Sequence, residues 1–331
     1  MKNLIVVGNG FDIAHGINSR YSDFYMYLKS YEVQLIPMFP EYPQYARLDS
    51  ISPEDRKKHD LIEKLEKYIC KEDLWSSFEE ALGNLDYEQL KEDNSDYLIG
   101  PGSDEWTDSA NHDYQYMIQE ELKFTDDIDY QFKRWICNLN TKVLPLPSVL
   151  NILNTCMRNT TVFLSFNYTN TLENIYGIAP NDILYIHGKV GDSGKLVLGH
   201  HDDSVWNVEK IDTSKMTEEQ YNNYQEYMMG EDFREVETEG IIRDYFKITY
   251  KDTDKIIHQN KFFFAQLNDC DRVFILGHSL SDIDFSYFDE IKNMVMNNCM
   301  WYISCYSQED INNANYFVRN LGIQNYQFIQ L

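Results

Sequence analysis

The chain has 331 residues, 43% of them hydrophobic, which is enough apolar surface to build a sizeable core without disulfides or metal ions. Its formal net charge is −25, and a field of that sign repels the phosphate backbone of nucleic acids and anionic lipid surfaces. We therefore expect no direct nucleic-acid or membrane partner, and a single domain over residues 1–331 that carries insertions.

The sequence also predicts a cytoplasmic protein. No basic and apolar leader precedes the first strand pattern, and no apolar run approaches the ~20 residues needed to cross a bilayer. The cysteines lie scattered without a C-x-x-C pair, which is typical of free thiols buried in the core in a reducing compartment. They are Cys70, Cys137, Cys156, Cys270, Cys299 and Cys305.

The first predicted element is a strand over Lys2–Val7, an apolar run of the kind that is buried on both faces of a parallel sheet. It is followed at once by a glycine turn made of Gly8, Asn9, Gly10, Phe11 and Asp12. The first glycine permits a tight turn, and the second lets a pyrophosphate approach main-chain N–H groups. A full dinucleotide fingerprint would have a third glycine at Ile13, so a purely structural turn is the alternative. A helix is then predicted to begin near Ser19, with that serine as its cap.

The rest of the chain alternates strands and helices around two insertions. Residues 31–159 read as a largely helical insertion that opens with a proline-rich loop at 38–45, and residues 202–254 as a second, polar and partly helical insert. Further strands are predicted at 160–166, 183–187, 195–200, 271–277, 300–307 and 324–330. This alternation predicts an α/β fold with a Rossmann-like parallel sheet covered by helices, and ligands bound outside the carboxyl ends of the strands.

Two polar residues follow predicted strands at that edge. Asn167 comes directly after an apolar strand, and its amide can hold a sugar hydroxyl or a water molecule because it both donates and accepts hydrogen bonds. His187 precedes Gly188, whose missing side chain admits a ligand, and an imidazole there can serve as a general base near neutral pH. The structural alternatives are a turn residue for Asn167 and a satisfied core histidine for His187.

A last motif follows the strand at 271–277 and contains Gly277, His278, Ser279 and Asp282, with Asp284 two residues further on. The two acids can cap the helix that follows, or they can hold ribose hydroxyls or the glycine turn in place.

Taken together, these motifs resemble the AbiH family of bacterial phage abortive-infection proteins. The segment GNGFDIAHGINSRYSDF (Gly8 to Phe24) is similar to its N-terminal signature, LGHSLSDIDF to its second signature, and WSSFEE (Trp75 to Glu80) to its middle part. The second signature also resembles a segment of sirtuin-like NAD-hydrolysing domains. The sirtuin-like pattern is matched at Asn167, His187, Gly277, Ser279 and Asp282, and it is not matched at Asn9, Phe11 and Thr169.

The resemblance implies a sirtuin-like fold and a phage-defence effector that binds NAD and hydrolyses the bond between nicotinamide and ribose. In this hypothesis Asn167 and His187 are catalytic: the amide positions the ribose or the attacking water, and the imidazole accepts a proton. Gly8 and Gly10 hold the pyrophosphate, within a cofactor site that comprises Gly8, Asn9, Gly10, Phe11, Asp12, Gly277, His278, Ser279 and Asp282. NAD is the ligand, no metal is expected, and a homo-oligomer and a phage-derived trigger are the further partners that the hypothesis allows.

Other functions remain open at this point. A nucleotide-binding sensor or regulatory protein without catalysis would use the same pocket to report on a ligand. A metal-dependent nuclease would use the HHDD segment (His200 to Asp203), but the net charge of −25 counts against it because phosphate contacts need basic surface. A dehydrogenase is disfavoured because the dinucleotide fingerprint is incomplete and no second substrate domain is evident.

Overall fold

The computed structural model describes residues 2–30, 36–37, 46–47, 52–69, 75, 77–100, 102–156, 159–192, 194–204, 206, 216–221, 230 and 232–331. The proline-rich loop predicted at 38–45, Cys70, and much of the insert predicted at 202–254 lie outside these residues.

The secondary structure alternates as the sequence predicts. The strands are β1 (Lys2–Val7), β2 (Ile36–Pro37), β3 (Ala46–Arg47), β4 (Thr160–Ser165), β5 (Ile183–Tyr185), β6 (Cys270–Leu276), β7 (Met300–Ser304) and β8 (Tyr326–Ile329). The principal helices are α1 (Asn9–Ala14), α2 (Tyr21–Leu28), α3 (Pro53–Tyr68), α4 (Phe78–Ala81), α5 (Tyr87–Asp93), α6 (Asp113–Leu122), α7 (Phe124–Asn138), α8 (Pro147–Cys156), α9 (Thr171–Tyr176), α10 (Phe233–Ile248), α11 (Thr253–Gln259), α12 (Lys261–Ala265), α13 (Phe285–Met294) and α14 (Gln308–Asn320).

The chain divides into two compact units. The first, which we call the sheet unit, comprises Met1–Leu28, Asp129–Leu198 and Lys251–Leu331. The second, which we call the helical unit, comprises Lys29–Ile128 and Gly199–Tyr250.

The sheet unit is built on a six-stranded sheet in the order β5-β4-β1-β6-β7-β8, and all of its strand pairs are parallel. Leu4 lies opposite Val162 on one side and Val273 on the other, so β1 is central. Every residue of β1 is buried, as expected for a strand that is covered on both faces. The predicted Rossmann-like α/β architecture is therefore confirmed.

Alternate residues of β1 face two different cores. Leu4 and Val6 belong to the first core, which also contains residues of α13 and α14, whereas Ile5 and Val7 belong to the second core with residues of α1, α8 and α9. The helices after β1 and β4 thus cover one face, and the helices after β6 and β7 cover the other. Later strands are added on one side of β1 as far as β5 and then on its other side from β6 onwards, so the strand order switches between β1 and β6, which is where a doubly wound sheet leaves a crevice at its carboxyl edge.

Ser307 illustrates how local sequence fixes an element of this unit. Its hydroxyl accepts a hydrogen bond from the Asp310 N–H (3.1 Å), and the Asp310 carboxylate accepts one from the Ser307 N–H (2.8 Å). This capping box satisfies two backbone donors and begins α14, and Ala314 and Phe317 then turn the apolar face of the helix onto the first core.

The helical unit contains α3, α4, α5, α6 and α10, together with the short antiparallel pair β2–β3. Arg234 anchors the start of α10: its buried guanidinium donates to the carbonyls of Ile99 (2.8 Å) and Ala110 (3.2 Å) and pairs with Asp232. Among the described residues, none of the helices is both long enough and apolar enough to cross a membrane.

Several local predictions were wrong, and one of them is the strand expected at 300–307, which ends at Ser304. Residues 195–199 do not form the predicted strand, because the Val197 N–H donates to the His187 carbonyl (2.8 Å) while the His200 N–H donates to Thr249 (2.9 Å), so no single neighbour pairs along the segment. Strand β5 ends two residues early, at a turn where Gly188 has φ +82°. The helix expected at Ser19 begins at Tyr21, and α1 forms immediately after Gly8 instead of a loop.

The prediction that the cysteines are buried free thiols also needs one correction. Among the described residues, Cys156, Cys270, Cys299 and Cys305 are free and buried, whereas Cys137 is free and exposed. Its neighbours Trp135 and Ile136 lie on the buried face of α7, and Cys137 is rotated away from that face.

Candidate functional site at the carboxyl edge of the sheet

Two glycine-containing turns meet where β1 and β6 end. The Gly8 N–H donates to the Leu276 carbonyl (3.1 Å). A Cβ atom at Gly10 would lie 2.8 Å from the Gly277 oxygen, and a Cβ atom at Gly277 would lie 2.0 Å from the Phe11 nitrogen. The glycines therefore allow the two backbones to touch where the strand order of the sheet switches. That the first turn also admits a pyrophosphate stays a prediction.

Asn9 holds the loop after α1. Its amide donates to the Ser19 carbonyl (2.8 Å), and the Ser19 hydroxyl donates back to the Asn9 oxygen (2.5 Å). Ser19 is thus used to fix this loop rather than to cap α2. These reciprocal bonds give Asn9 a structural role that the motif alone did not indicate.

Asp12, Asn167, Thr169 and Thr171 form a buried group that we call the aspartate cluster. The Thr169 hydroxyl donates to Asp12 Oδ2 (2.6 Å) and lies 2.9 Å from the hydroxyl of Thr171. Within the described part of the chain, Asp12 Oδ1 and both polar atoms of the Asn167 side chain lack a well-formed hydrogen bond. Burial raises the pKa of Asp12, against the opposing effect of the threonine hydroxyls and the nearby Asn167 amide.

A second buried group, which we call the histidine cluster, contains His187, Lys251, His278 and Asp284. Lys251 Nζ lies 2.8 Å from Asp284 Oδ1, His278 Nε2 lies 3.4 Å from Asp284 Oδ2, and His187 Nε2 lies 3.7 Å from Asp284 Oδ1. The side chains are exposed by only 1% (Lys251), 11% (Asp284) and 3% (each histidine). One carboxylate therefore faces three nitrogen atoms in a largely buried cluster.

Aromatic rings surround the histidine cluster. The Phe166 ring lies 5.2 Å from the His187 ring and 4.5 Å from the His278 ring, centroid to centroid, and Tyr287 and Phe288 pack against the same group. Phe166, Tyr287 and Phe288 belong to the first core. Phe11 and Leu172, the chain neighbours of Asp12 and Thr171, belong to the second core. The two clusters therefore lie at the same edge of the sheet, next to opposite cores.

A hydrogen bond assigns the tautomer of His278. His278 Nδ1 accepts from the Leu280 N–H (2.9 Å), so the neutral ring carries its proton on Nε2, towards Asp284. This bond accompanies a left-handed backbone at Leu280, with φ +59°. The Phe166 carbonyl acts to raise the pKa of His187, and the His187 Nε2 has no hydrogen-bond partner among the described residues.

Burial and the neighbouring charges shift the pKa values of two groups in the histidine cluster. Burial and then the charge of Lys251 hold the pKa of His187 well below its ordinary value, although Asp284 acts in the opposite direction. Burial works to raise the pKa of Asp284, but Lys251, His278 and His187 together hold it below its ordinary value. These effects favour the charged form of Asp284 and the uncharged form of the His187 imidazole. Such an imidazole can accept a proton.

Two histidines and an aspartate are also ligands that zinc uses, which raises the question of a metal site at the histidine cluster. The Lys251 ammonium, 2.8 Å from Asp284 Oδ1, already takes the position of a cation beside that carboxylate. The donor set thus suits proton transfer better than metal binding.

The HHDD segment belongs to the helical unit and to neither cluster. A Cβ atom at Gly83 would lie 2.8 Å from the buried His200 ring, whose Nε2 lies 3.2 Å from the Phe246 carbonyl. His201 and Asp202 are exposed. Among the described residues, acid and histidine donors that could share an ion occur instead on α3, at His59, Asp60 and Glu63.

The structure distributes the predicted site residues over several places. His187 and His278 lie in the histidine cluster, and Asp12 and Asn167 lie in the aspartate cluster. The first turn and Gly277 form the backbone contact between β1 and β6, with Phe11 fully buried in the second core. Ser279 and Asp282 are exposed and lie in neither cluster.

Lys251 and the part played by Asp284 are not evident from the sequence. Lys251 directly precedes the Asp252 cap of α11 and belongs to no motif, so its pattern resembles that of any surface lysine. The motif around Asp284 indicates only a cap or a support for ribose or the glycine turn. Thr169 departs from the sirtuin-like pattern. This departure is a feature of the sequence that could have indicated its hydrogen bond to Asp12.

Comparison with protein families matches residues 4–305 of the 331 to the family described as "Bacteriophage abortive infection AbiH". Searches of curated proteins and of solved structures gave no significant match.

Proposed function

The chain belongs to the AbiH family of bacteriophage abortive infection proteins, and we propose that it acts as a defence effector that binds NAD and hydrolyses the nicotinamide–ribose bond. Family membership supports the abortive-infection role. The observation that carries the chemical part is the burial of His187 at the carboxyl edge of a doubly wound sheet, with an Nε2 that has no hydrogen-bond partner among the described residues.

The proposed reaction asks little covalent chemistry of the protein. Nicotinamide leaves the ribose as a neutral molecule, because the bond that breaks joins C1′ to a positively charged ring nitrogen. Water adds to C1′ as that bond breaks, which gives nicotinamide, ADP-ribose and one proton. His187 accepts the proton from the water or from a ribose hydroxyl, and the surrounding groups orient the ribose.

The aspartate cluster supports a sugar-binding role. Asn167 is only 5% exposed, and its amide oxygen and nitrogen are buried without well-formed hydrogen bonds to the described residues, as is Asp12 Oδ1. Unsatisfied buried polar atoms are costly, so a ligand hydroxyl or water that bonded to them would be favoured. In the proposal Asn167 orients the ribose or the attacking water.

The remaining predicted residues have complementary roles in the proposal. Gly8 and Gly10 lie next to the pyrophosphate at the first turn. The exposed side chains of Ser279 and Asp282 are accessible to the adenosine end of the ligand. No covalent step depends on these four residues, so their substitution is expected to weaken binding rather than chemistry.

The alternative of a non-catalytic nucleotide sensor is favoured by one observation, the closure of the edge. His187 is 3% exposed and Asn167 5%, so a ligand reaches them only after the surrounding side chains move apart. Under this alternative, opening of the edge by a nucleotide is itself the signal.

The test is incubation of the purified protein with NAD, followed by chromatographic measurement of nicotinamide and ADP-ribose. His187→Ala is expected to lower turnover by about 10²-fold or more while NAD binding, measured by calorimetry, is retained. Asn167→Ala is expected to act similarly, through lost orientation. His201→Ala removes an exposed histidine outside both clusters and serves as the matched control.

Absence of NAD turnover by the wild-type protein, including protein recovered from phage-challenged cells, would contradict the enzymatic proposal. The sensor alternative then predicts NAD binding without products. It also predicts that His187→Ala impairs phage protection only to the extent that it weakens binding. Full protection by His187→Ala would remove this residue from either function.

A further inference from the structure

Lys251 is an unusual residue because its charged side chain is almost completely buried. The side chain is 1% exposed and its Nζ lies 2.8 Å from Asp284 Oδ1. A buried ammonium is costly unless it is paired, and here the partner is the carboxylate that also faces the two histidines. Removing Lys251 would leave that carboxylate charged and buried beside His187.

The charged and titratable groups around His187 come from every element packed against it. Asp284 precedes α13, Lys251 precedes α11, and His278 lies in the turn after β6. The phenol-bearing rings of Tyr168 and Tyr287 lie 6.3 Å and 5.7 Å from the His187 ring, centroid to centroid. Of these groups, Lys251 is positively charged and Asp284 is negatively charged, so together they contribute no net charge.

We propose that Lys251 is a positioning residue that balances the Asp284 carboxylate and thereby keeps His187 uncharged and able to act as a base. This inference rests on the proposed role of His187 in NAD hydrolysis. Lys251 touches neither the substrate nor the reacting atoms in the proposal, and it acts only through Asp284 and the charge of the cluster.

The charge of the cluster matters because water is excluded from it. With Lys251 present, a proton on His187 Nε2 would add an unbalanced positive charge. Without Lys251, the same proton would neutralise Asp284, whose Oδ1 lies 3.7 Å from Nε2. A histidine that gains an unbalanced carboxylate as its neighbour has a raised pKa. Loss of Lys251 should therefore convert the base into an imidazolium near neutral pH.

The pH dependence of the rate should report this change. A general base works only when it is deprotonated, so the acid limb of the rate profile follows the pKa of His187. In wild type this limb lies well below the ordinary range for histidine, because burial and Lys251 both disfavour the proton. Lys251→Met should move the limb upwards by about one to three pH units, the size expected when one neighbouring charge is removed from a buried site.

The experiment measures His187 directly as well as through activity. Imidazole NMR of ¹⁵N-histidine-labelled protein gives the titration midpoint of His187, assigned by its loss in His187→Ala, and NAD hydrolysis gives the rate profile. The variants are Lys251→Met, Lys251→Arg, which keeps the charge, and the double variant Lys251→Met with Asp284→Asn. Lys2→Met is the matched control, since it removes a lysine buried at the opposite end of β1.

The expected pattern distinguishes charge balance from packing. Lys251→Met raises the His187 midpoint, Lys251→Arg and Lys2→Met leave it low, and the double variant restores a low midpoint because both charges are gone. A low midpoint in folded Lys251→Met, or a raised midpoint in the double variant, would overturn the inference. If Lys251→Met does not fold, Asp284→Asn provides the test: it leaves a positive charge beside His187, so a raised midpoint there overturns the inference.

The two readouts separate this inference from the proposed function. If the NMR midpoints follow the expected pattern but the wild-type protein makes no nicotinamide, the NAD-hydrolase proposal fails while the electrostatic role of Lys251 stands. If the protein hydrolyses NAD but its acid limb is the same in wild type and Lys251→Met, the enzymatic proposal stands and the role assigned to Lys251 fails.

Discussion

Gly277→Ala should destabilise the sheet unit far more than a glycine-to-alanine change normally does. Gly277 has φ +64°, and an added Cβ would lie 2.0 Å from the Phe11 nitrogen and 2.4 Å from the Gly10 carbonyl carbon. Ordinary contacts of this kind lie at about 3.5 Å, so α1 would have to move by about 1.5 Å. The atoms that clash are backbone atoms, which cannot rotate away as the end of a side chain can.

Gly322→Ala is the matched control for this substitution. Gly322 has φ +62°, and a Cβ there would meet nothing within 4 Å. Gly322→Ala should therefore lose only the stability that a left-handed backbone costs an alanine, about 1–2 kcal/mol. Gly277→Ala should cost this amount plus about 1–3 kcal/mol for overpacking, so the two free energies of unfolding should differ by about 2 kcal/mol.

Urea unfolding followed by circular dichroism, with both variants and wild type measured in parallel, gives this difference. Equal losses for Gly277→Ala and Gly322→Ala would refute the steric explanation, because both positions share the left-handed backbone and differ only in what surrounds them. A smaller loss of stability for Gly277→Ala than for Gly322→Ala would contradict the steric explanation even more strongly.

Two further predictions concern the first turn and the helix that follows it. Gly10→Val should lower the thermal unfolding temperature as well as any nucleotide affinity, because its Cβ would lie 2.8 Å from the Gly277 oxygen; an unchanged melting temperature would contradict the backbone contact. Asp12→Asn should stabilise the protein at neutral pH, because burial raises the pKa of Asp12 and the folded state therefore disfavours its charged form. This gain should be present above the raised folded pKa and should disappear below about pH 3.8, where aspartate is neutral in both states, so melting curves from pH 3 to pH 8 test it.

Much of the sheet could be predicted because its strands carry their own signal. The apolar runs at Lys2–Val7 and Cys270–Leu276 are each followed by a glycine, and a run of this kind is stable only when both faces of the strand are covered. The segment 195–200 shows where this reasoning fails. Its apolar residues look like a strand, but its N–H groups bond to His187 and Thr249, which no local pattern could reveal.

The candidate site was predictable only in part, for the same reason. The positions of Asn167 and His187 after strands predicted that both residues lie at the carboxyl edge of the sheet, and the structure has them there because parallel strands end together. The ion pair of Lys251 with Asp284 joins residues 33 positions apart, and Lys251 lies outside any motif. Long-range pairing of this kind depends on how α11 and α13 pack, which periodicity does not encode. The same limit applies to Gly277, whose steric partner Phe11 lies at the far end of the sequence.

The central position of β1 has a consequence for how the protein is made. β1 is synthesised well before both of its neighbours in the sheet, which begin at Thr160 and Cys270. At about 5–20 residues per second, the ribosome needs roughly 15–50 seconds to go on from β1 to the later of these two neighbours, β6. During this time the apolar residues of β1 have no strand on one side, and a nascent chain in this state is prone to aggregate unless chaperones bind it. The histidine cluster also requires Asp284, so the proposed site can form only after residue 284 has been synthesised.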